Sequence, residues 1–301
     1  MYNIRWKPVE KGLILLINRS TYQVQPQVRN FITWVTPLVS SERLLPHMWR
    51  SPKFGEWFCE SVFDAYCRFD WGFSVQLPGE THLTRGRSFE ENVNVLDRLK
   101  DILRESAAKG DTDNFLKSGI AVVQWGGVYR NVGRLVALGE RALPNLCAAA
   151  EQLDPKNADT GRLSAVTDMN SGFSKIYSLL IDGFPIYDSR VACALAFLIR
   201  KFCQEKGLQE VPPELAVGLP PNRTKTSRDP SIDSLQFHKL RWGEEKEYAI
   251  SNLKAAWLLE PLSEQGLFGE LPGPRRLLAL QSALFMIGYK PPEQHDQNIT
   301  G

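Results

Sequence analysis

Asp188 and Lys175 are the two residues whose types and spacing most directly invite chemistry. They lie in the stretch Asp168-Met169-Asn170-Ser171-Gly172-Phe173-Ser174-Lys175-Ile176-Tyr177-Ser178, which continues to Phe184-Pro185-Ile186-Tyr187-Asp188-Ser189-Arg190. A polar turn with Gly172 opens an apolar helix that ends near Gly183. An extended Phe-Pro-Ile-Tyr segment then delivers Asp188 to the start of the next helix. A carboxylate at a helix N-terminus faces unpaired N–H groups and the positive end of the macrodipole, so its ionised form is favoured. A fixed carboxylate can stabilise an oxocarbenium-like sugar as an N-glycosidic bond breaks, position a water, or accept a proton. Lys175 is thirteen positions earlier. Desolvated, its amine becomes a nucleophile able to form a Schiff base at a sugar anomeric carbon.

The same stretch offers groups for a phosphate. Backbone N–H groups around Gly172 sit at a helix start, and Ser171 and Ser174 add hydroxyls. Arg190 could contact a phosphate, or cover its helix flank with its stem. Each residue also has a plain structural explanation. Asp188 is a good N-cap, Lys175 fits a solvated helix face, and Gly172 fits a turn. Trp125-Gly126-Gly127 could line a close-packed pocket, since paired glycines let another group approach, and equally fits a core tryptophan in a kinked helix.

These residues need elements to position them. Tyr2, Ile4 and Trp6 alternate with polar residues, as do Phe69, Trp71, Phe73, Val75 and Leu77; both runs read as half-buried strands. Val28, Phe31, Ile32 and Val35 share a helical face. Ser51 and Pro52 read as an N-cap and first turn, followed at helical spacing by Phe54, Trp57, Phe58, Val62 and Ala65. Ser88 and Glu91 form a capping-box pattern ahead of Leu96, Leu99 and Leu103. Helices are predicted over Ile120–Tyr129, Leu135–Leu146, Val191–Phe202, Tyr248–Leu259 and Pro274–Ile287. Asp154-Pro155-Lys156-Asn157 reads as a turn, and 212–233 as a long loop. Its basic residues Arg223, Lys225 and Arg228, with His238, Lys239 and Arg241 beyond, form a patch for a nucleic-acid backbone or a solvated loop.

Composition narrows the classes. The chain is 43% hydrophobic and 23% charged, with net charge +2. That supplies a large core and no global basic field. Five scattered cysteines without C-x-x-C spacing fit reduced thiols in a cytoplasmic protein and offer no zinc or iron–sulfur cluster. Four isolated histidines form no H-E-x-x-H or H-x-E motif, and no phosphate-binding loop of the G-x-x-x-x-G-K-S/T type occurs. No cofactor or metal is expected, and the apolar stretch at 191–199 is too short to span a bilayer.

Ser174-Lys175 and Pro185-Ile186-Tyr187-Asp188-Ser189-Arg190-Val191 resemble the helix-hairpin-helix superfamily of DNA glycosylases, in particular bacterial proteins with an 8-oxoguanine-glycosylase-like fold. The match covers about two dozen residues. Departures are plain: only Gly172 stands where the family has two glycines one residue apart, and aligning Gly172 with the first of them puts Ile176 at the lysine position. The lysine-to-aspartate interval is also short.

The resemblance implies a mainly α (α+β) chain. Two helical lobes would flank a cleft, with a small N-terminal antiparallel sheet. Residues 1–86 would pack on a helical core at 87–301. It implies catalysis by Asp188 with Lys175, DNA contacts from Ser171, Gly172, Ser174 and Arg190, and double-stranded DNA containing a modified base as partner, without an obligate protein partner. Release of a flipped base, with strand cleavage if Lys175 attacks, would serve base excision or defence against phage carrying glucosylated hydroxymethylcytosine. The alternatives are a noncatalytic duplex or abasic DNA-binding protein, and a helical scaffold with a fortuitous match.

Overall fold

The computed structural model describes residues 17–51, 55–222 and 227–291. It is mainly helical. The elements are α1 (Arg19–Gln23), α2 (Pro26–Val39), β1 (His47–Ser51), β2 (Gly55–Cys59), α3 (Val62–Cys67), β3 (Phe73–Gln76), β4 (Leu83–Gly86), α4 (Phe89–Lys109), α5 (Thr112–Trp125), α6 (Arg130–Leu138) and α7 (Ala142–Leu153), then α8 (Phe173–Leu180), α9 (Ser189–Glu205), α10 (Glu245–Ser263), α11 (Gly266–Gly269) and α12 (Gly273–Ile287). Two separate antiparallel pairs, β1 with β2 and β3 with β4, replace the single small sheet expected.

Local chemistry explains most boundaries. Ser88 and Glu91 close the capping box at α4, and Gly110, at φ 68°, ends that helix in the left-handed region. Gly126 ends α5 earlier than expected, at Trp125. The helix expected over 135–146 is two helices: α6 stops at Leu138, and a 3₁₀ turn at Gly139–Arg141 redirects the chain into α7. Gly139, at φ 53°, breaks the apolar run there.

Two expectations near the N-terminus fail. Trp57 and Phe58 lie in β2, paired with Trp49 and Met48, and not in a helix. Ser51 ends β1; the helix begins at Val62, capped by the Ser61 side chain on the Asp64 N–H. Short apolar runs do not separate the two periods, and the tertiary partner decides. Similarly, only Phe73–Gln76 of the 69–77 run is strand, because Phe69 and Trp71 turn inward beside Phe285. The alternating run at 2–6, Pro52, Phe54, Arg223 and Lys225 lie outside the described residues.

The main helix contacts fall into two sets. In one, α5 packs on α4, α6, α7 and α8, and α4 also packs on α8. In the other, α12 packs on α3, α9, α10 and α11, while α2 packs on α9 and α10. Helices α2 and α3 thus complete the second set, while β3 packs on α5 and β4 on α4 of the first. Trp257, Tyr22, Phe31 and Phe202 are fully buried within it. Tyr22 and Trp257 rings lie 5.3 Å apart, and Phe31 meets Phe202 edge-on at 5.6 Å. Lys175 rides on α8 in the first set, and Asp188 opens α9 in the second.

Candidate active site

Asp188 is held in extended conformation as the N-cap of α9. Its Oδ1 accepts from the N–H groups of Arg190 at 3.0 Å and Val191 at 3.2 Å. The free oxygen, Oδ2, lies 3.3 Å from the Lys175 Nζ, which also donates to the Ser171 carbonyl at 3.1 Å. The two side chains are 13% and 5% exposed. Capping and pairing therefore use different oxygens of one carboxylate. Burial pushes the Asp188 carboxyl up, but Lys175, Arg190, the Val191 N–H and Arg228 together outweigh it and hold the group below its ordinary value. The site keeps a buried carboxylate ionised.

The segment that carries Asp188 is pinned from several elements. The Ile186 N–H donates to Gln281 Oε1 of α12 at 2.6 Å, and the Tyr187 N–H to Ser174 Oγ of α8 at 2.6 Å. Asn252 of α10 donates to the Pro185 carbonyl at 3.0 Å, and the Tyr187 hydroxyl to the Gly218 carbonyl at 2.7 Å. The Tyr248 hydroxyl donates to the Tyr187 carbonyl and lies 3.1 Å from Ser171 Oγ. Tyr248 thereby ties the lysine-bearing turn to the aspartate-bearing segment.

Lys175 reaches the site because Gly126 has no side chain. A Cβ at Gly126 would stand 2.4 Å from Lys175 Cδ and 2.5 Å from Cε. The group that the glycine pair admits is the lysine stem. Gly127, at φ 66°, lets the chain turn against Trp71.

Above the Lys175–Asp188 pair is a slot between the two helix sets. Phe69, Trp71, Phe89, Trp125 and Phe285 wall it, with Asn92, Gln281 and Ser282 among its polar groups. Asn92 is fully used: its Oδ1 accepts from the Trp125 indole at 2.8 Å, and its amide donates to the carbonyls of Trp71, Arg87 and Ser88. Space open to water in the slot is about 40 Å³, room for a few waters at the roughly 10–15 Å³ that each requires.

The expected phosphate groups are engaged internally. Gly172 has ordinary right-handed helical dihedrals and is packed against Asn131. Its N–H and that of Phe173 donate to Asn170 Oδ1 at 2.7 and 3.2 Å, and the Ser174 N–H donates to the Asn170 carbonyl at 2.8 Å. The turn is a capped helix start whose donors are satisfied. No helix leads directly into it, since 154–172 separates α7 from α8. Ser171 and Ser174 hold Tyr248 and Tyr187. Arg190 is buried, its guanidinium 4.2 Å from the Phe285 ring centre, 4.8 Å from that of Tyr289 and 5.4 Å from that of Trp71. Burial, then Arg228, pushes its pKa down to about 10. Arg190 therefore acts on Asp188 from behind the site wall.

The basic loop divides. Arg228 donates to Ser189 Oγ at 2.6 Å, Lys239 pairs with Asp229 at 2.7 Å, and His238 meets Glu244 at 2.8 Å. Only Arg241 of this group is exposed and without an ion pair among the described residues. Asn170, Tyr248, Asn252 and Gln281 were not singled out from sequence. Asn170 alone had a local signal, as an Asn ahead of a helix start. Among the described residues no group of histidine, cysteine or acidic side chains could hold a metal ion, and no helix is long and apolar enough to cross a membrane. Comparison with protein-family models, curated proteins and solved structures gives no match.

Proposed function

We propose that the chain is a DNA N-glycosylase acting on a flat, modified base turned out of a duplex, without the hairpin of the family it resembles. The observation that supports this reading is the buried Lys175–Asp188 pair at the floor of an aromatic slot between two helix sets. An aromatic slot suits the faces of a planar ring, and an apolar site strengthens the effect of a single carboxylate on a developing positive charge. Asp188 stabilises the sugar cation as the bond to the base breaks. Lys175 sets the charge of Asp188 in the resting site. Once the base has left, its amine can attack the anomeric carbon, with Asp188 accepting the proton.

The slot favours a planar base over a glucosylated one. Its walls are rings in close approach, Phe285 lying 5.3 Å from Trp71 and 6.1 Å from Phe69 between ring centres, so even a flat base requires them to part. A hexose appended to the base would need far more. The test is chromatographic detection of free base from duplexes carrying oxidised, deaminated, alkylated or glucosylated-hydroxymethyl bases. Release of one of the planar bases is expected. Release of the glucosylated base alone would reverse the reading of the slot, and release of none would remove the glycosylase reading.

A further inference from the structure

Trp242 is 83% exposed, with one face of its ring against a guanidinium. Its ring lies 4.9 Å from the Arg134 guanidinium, which in turn lies 5.5 Å from the ring of Phe173. Arg134 is held by Asp168 at 2.6 Å, by the Thr167 carbonyl at 3.2 Å and by Glu245 at 3.5 Å. The result is a stack of indole, guanidinium and phenyl ring over the first turn of α8, the helix that carries Lys175.

Basic groups stand on either side. Arg130 stands one turn before Arg134 on α6, and residues four apart share a helix face. Arg130 and Arg241 are exposed and have no ion pair among the described residues. The adjacent acids Glu244 and Glu245 are engaged, by His238 and Arg134. Tyr129, 62% exposed, precedes Arg130 and follows the slot-lining Gly126 by three residues. The rim beside the slot thus presents flat aromatic faces together with exposed guanidinium groups.

We propose that this rim is a nucleic-acid platform: a base next to the target nucleotide stacks on Trp242, and Arg130 and Arg241 contact the flanking phosphates. Stacking on an aromatic face accepts any base, and guanidinium groups take phosphate oxygens. This rests on the reading of the slot as a site for DNA.

The test is fluorescence anisotropy with a duplex carrying a tetrahydrofuran abasic analogue. It uses the wild type, Trp242→Ala, Trp242→Phe, Arg241→Gln and Arg130→Gln. Because these side chains are exposed, melting temperatures should stay unchanged. Trp242→Ala is expected to weaken binding about 5- to 150-fold, the range for one lost base stack, with Trp242→Phe restoring most of it. The salt slope of the Trp242 variants should equal that of the wild type, while each arginine variant should flatten it by about 0.9. Binding by Trp242→Ala equal to the wild type overturns the platform and leaves the slot reading intact. A wild type that does not bind the duplex overturns both.

Discussion

At the scale of single residues, the site depends on a charge pair that burial alone would oppose. Moving an ion into a protein interior costs several kcal/mol, and a pair survives only with good geometry and further hydrogen bonds. Asp188 has both: two N–H donors on one oxygen, and Lys175 on the other. Its pKa lies below the ordinary value in the folded chain. Asp188 therefore stabilises the fold at neutral pH, and that contribution is lost as pH falls from the usual carboxylate value through the lowered one. Base release should likewise stay flat down to the lowered pKa and then fall. Lys175→Gln should move this acid limb upward, because the largest group lowering the pKa is gone. A limb that stays in place would show that Lys175 does not set the charge of Asp188. The aspartate and lysine were legible in sequence because their chemistry is local. Tyr248 and Gln281, 61 residues from Tyr187 and 95 from Ile186, were not, because only folding brings them there.

At the scale of elements, glycines set how closely the helices approach the site. Gly126 ends α5 where the lysine stem crosses, so Gly126→Ala should displace Lys175. Borohydride trapping on an abasic duplex should then fall to the level of Lys175→Gln, while stability drops by about 1–3 kcal/mol for the added bulk. Trapping at wild-type yield would show that the stem has another path. Gly288 is stricter. A Cβ there would stand 1.8 Å from the Arg190 carbonyl oxygen, which is backbone and cannot rotate away. Gly288→Ala should cost more than about 3 kcal/mol by denaturant unfolding, at the extreme of single-site effects. A loss under 1 kcal/mol would mean that α12 and α9 slide apart freely. Sequence reading did well here where caps announce themselves, as at Ser88 and Gly288. It failed at Trp57–Phe58, where a five-residue strand and a helical face share the same apolar residues.

At the scale of the molecule, the residues before 87 serve both helix sets: α2 and α3 pack with the last four helices, and β3 and β4 pack on α5 and α4. Helices α2 and α3 cover α9, α10 and α12, so a chain of 87–301 alone would expose their apolar faces. Such a truncation is expected to aggregate or to lose cooperative melting. A cooperative melt near that of the full chain would make the first 86 residues an accessory. The helix-rich composition was readable, because apolar periodicity over long segments is a strong signal. The grouping of helices on either side of a slot was not, since it depends on pairings distant in sequence. It is this grouping that sets Lys175 from one side against Asp188 from the other, beneath aromatic walls drawn from both.

The central claim is that Asp188 breaks the glycosidic bond. The direct measurement counts aldehyde-reactive abasic sites in plain, oxidised, deaminated, alkylated and glucosylated-hydroxymethylcytosine DNA treated with the wild type or with Asp188→Asn. Asparagine keeps the N-cap and removes the charge, so the substitution reports on chemistry as long as the melting transition remains cooperative. The expected result is abasic sites in one of the DNAs carrying a planar modified base, with the wild type only. Sites formed equally by Asp188→Asn, or none formed by the wild type in any of the DNAs, would contradict the account.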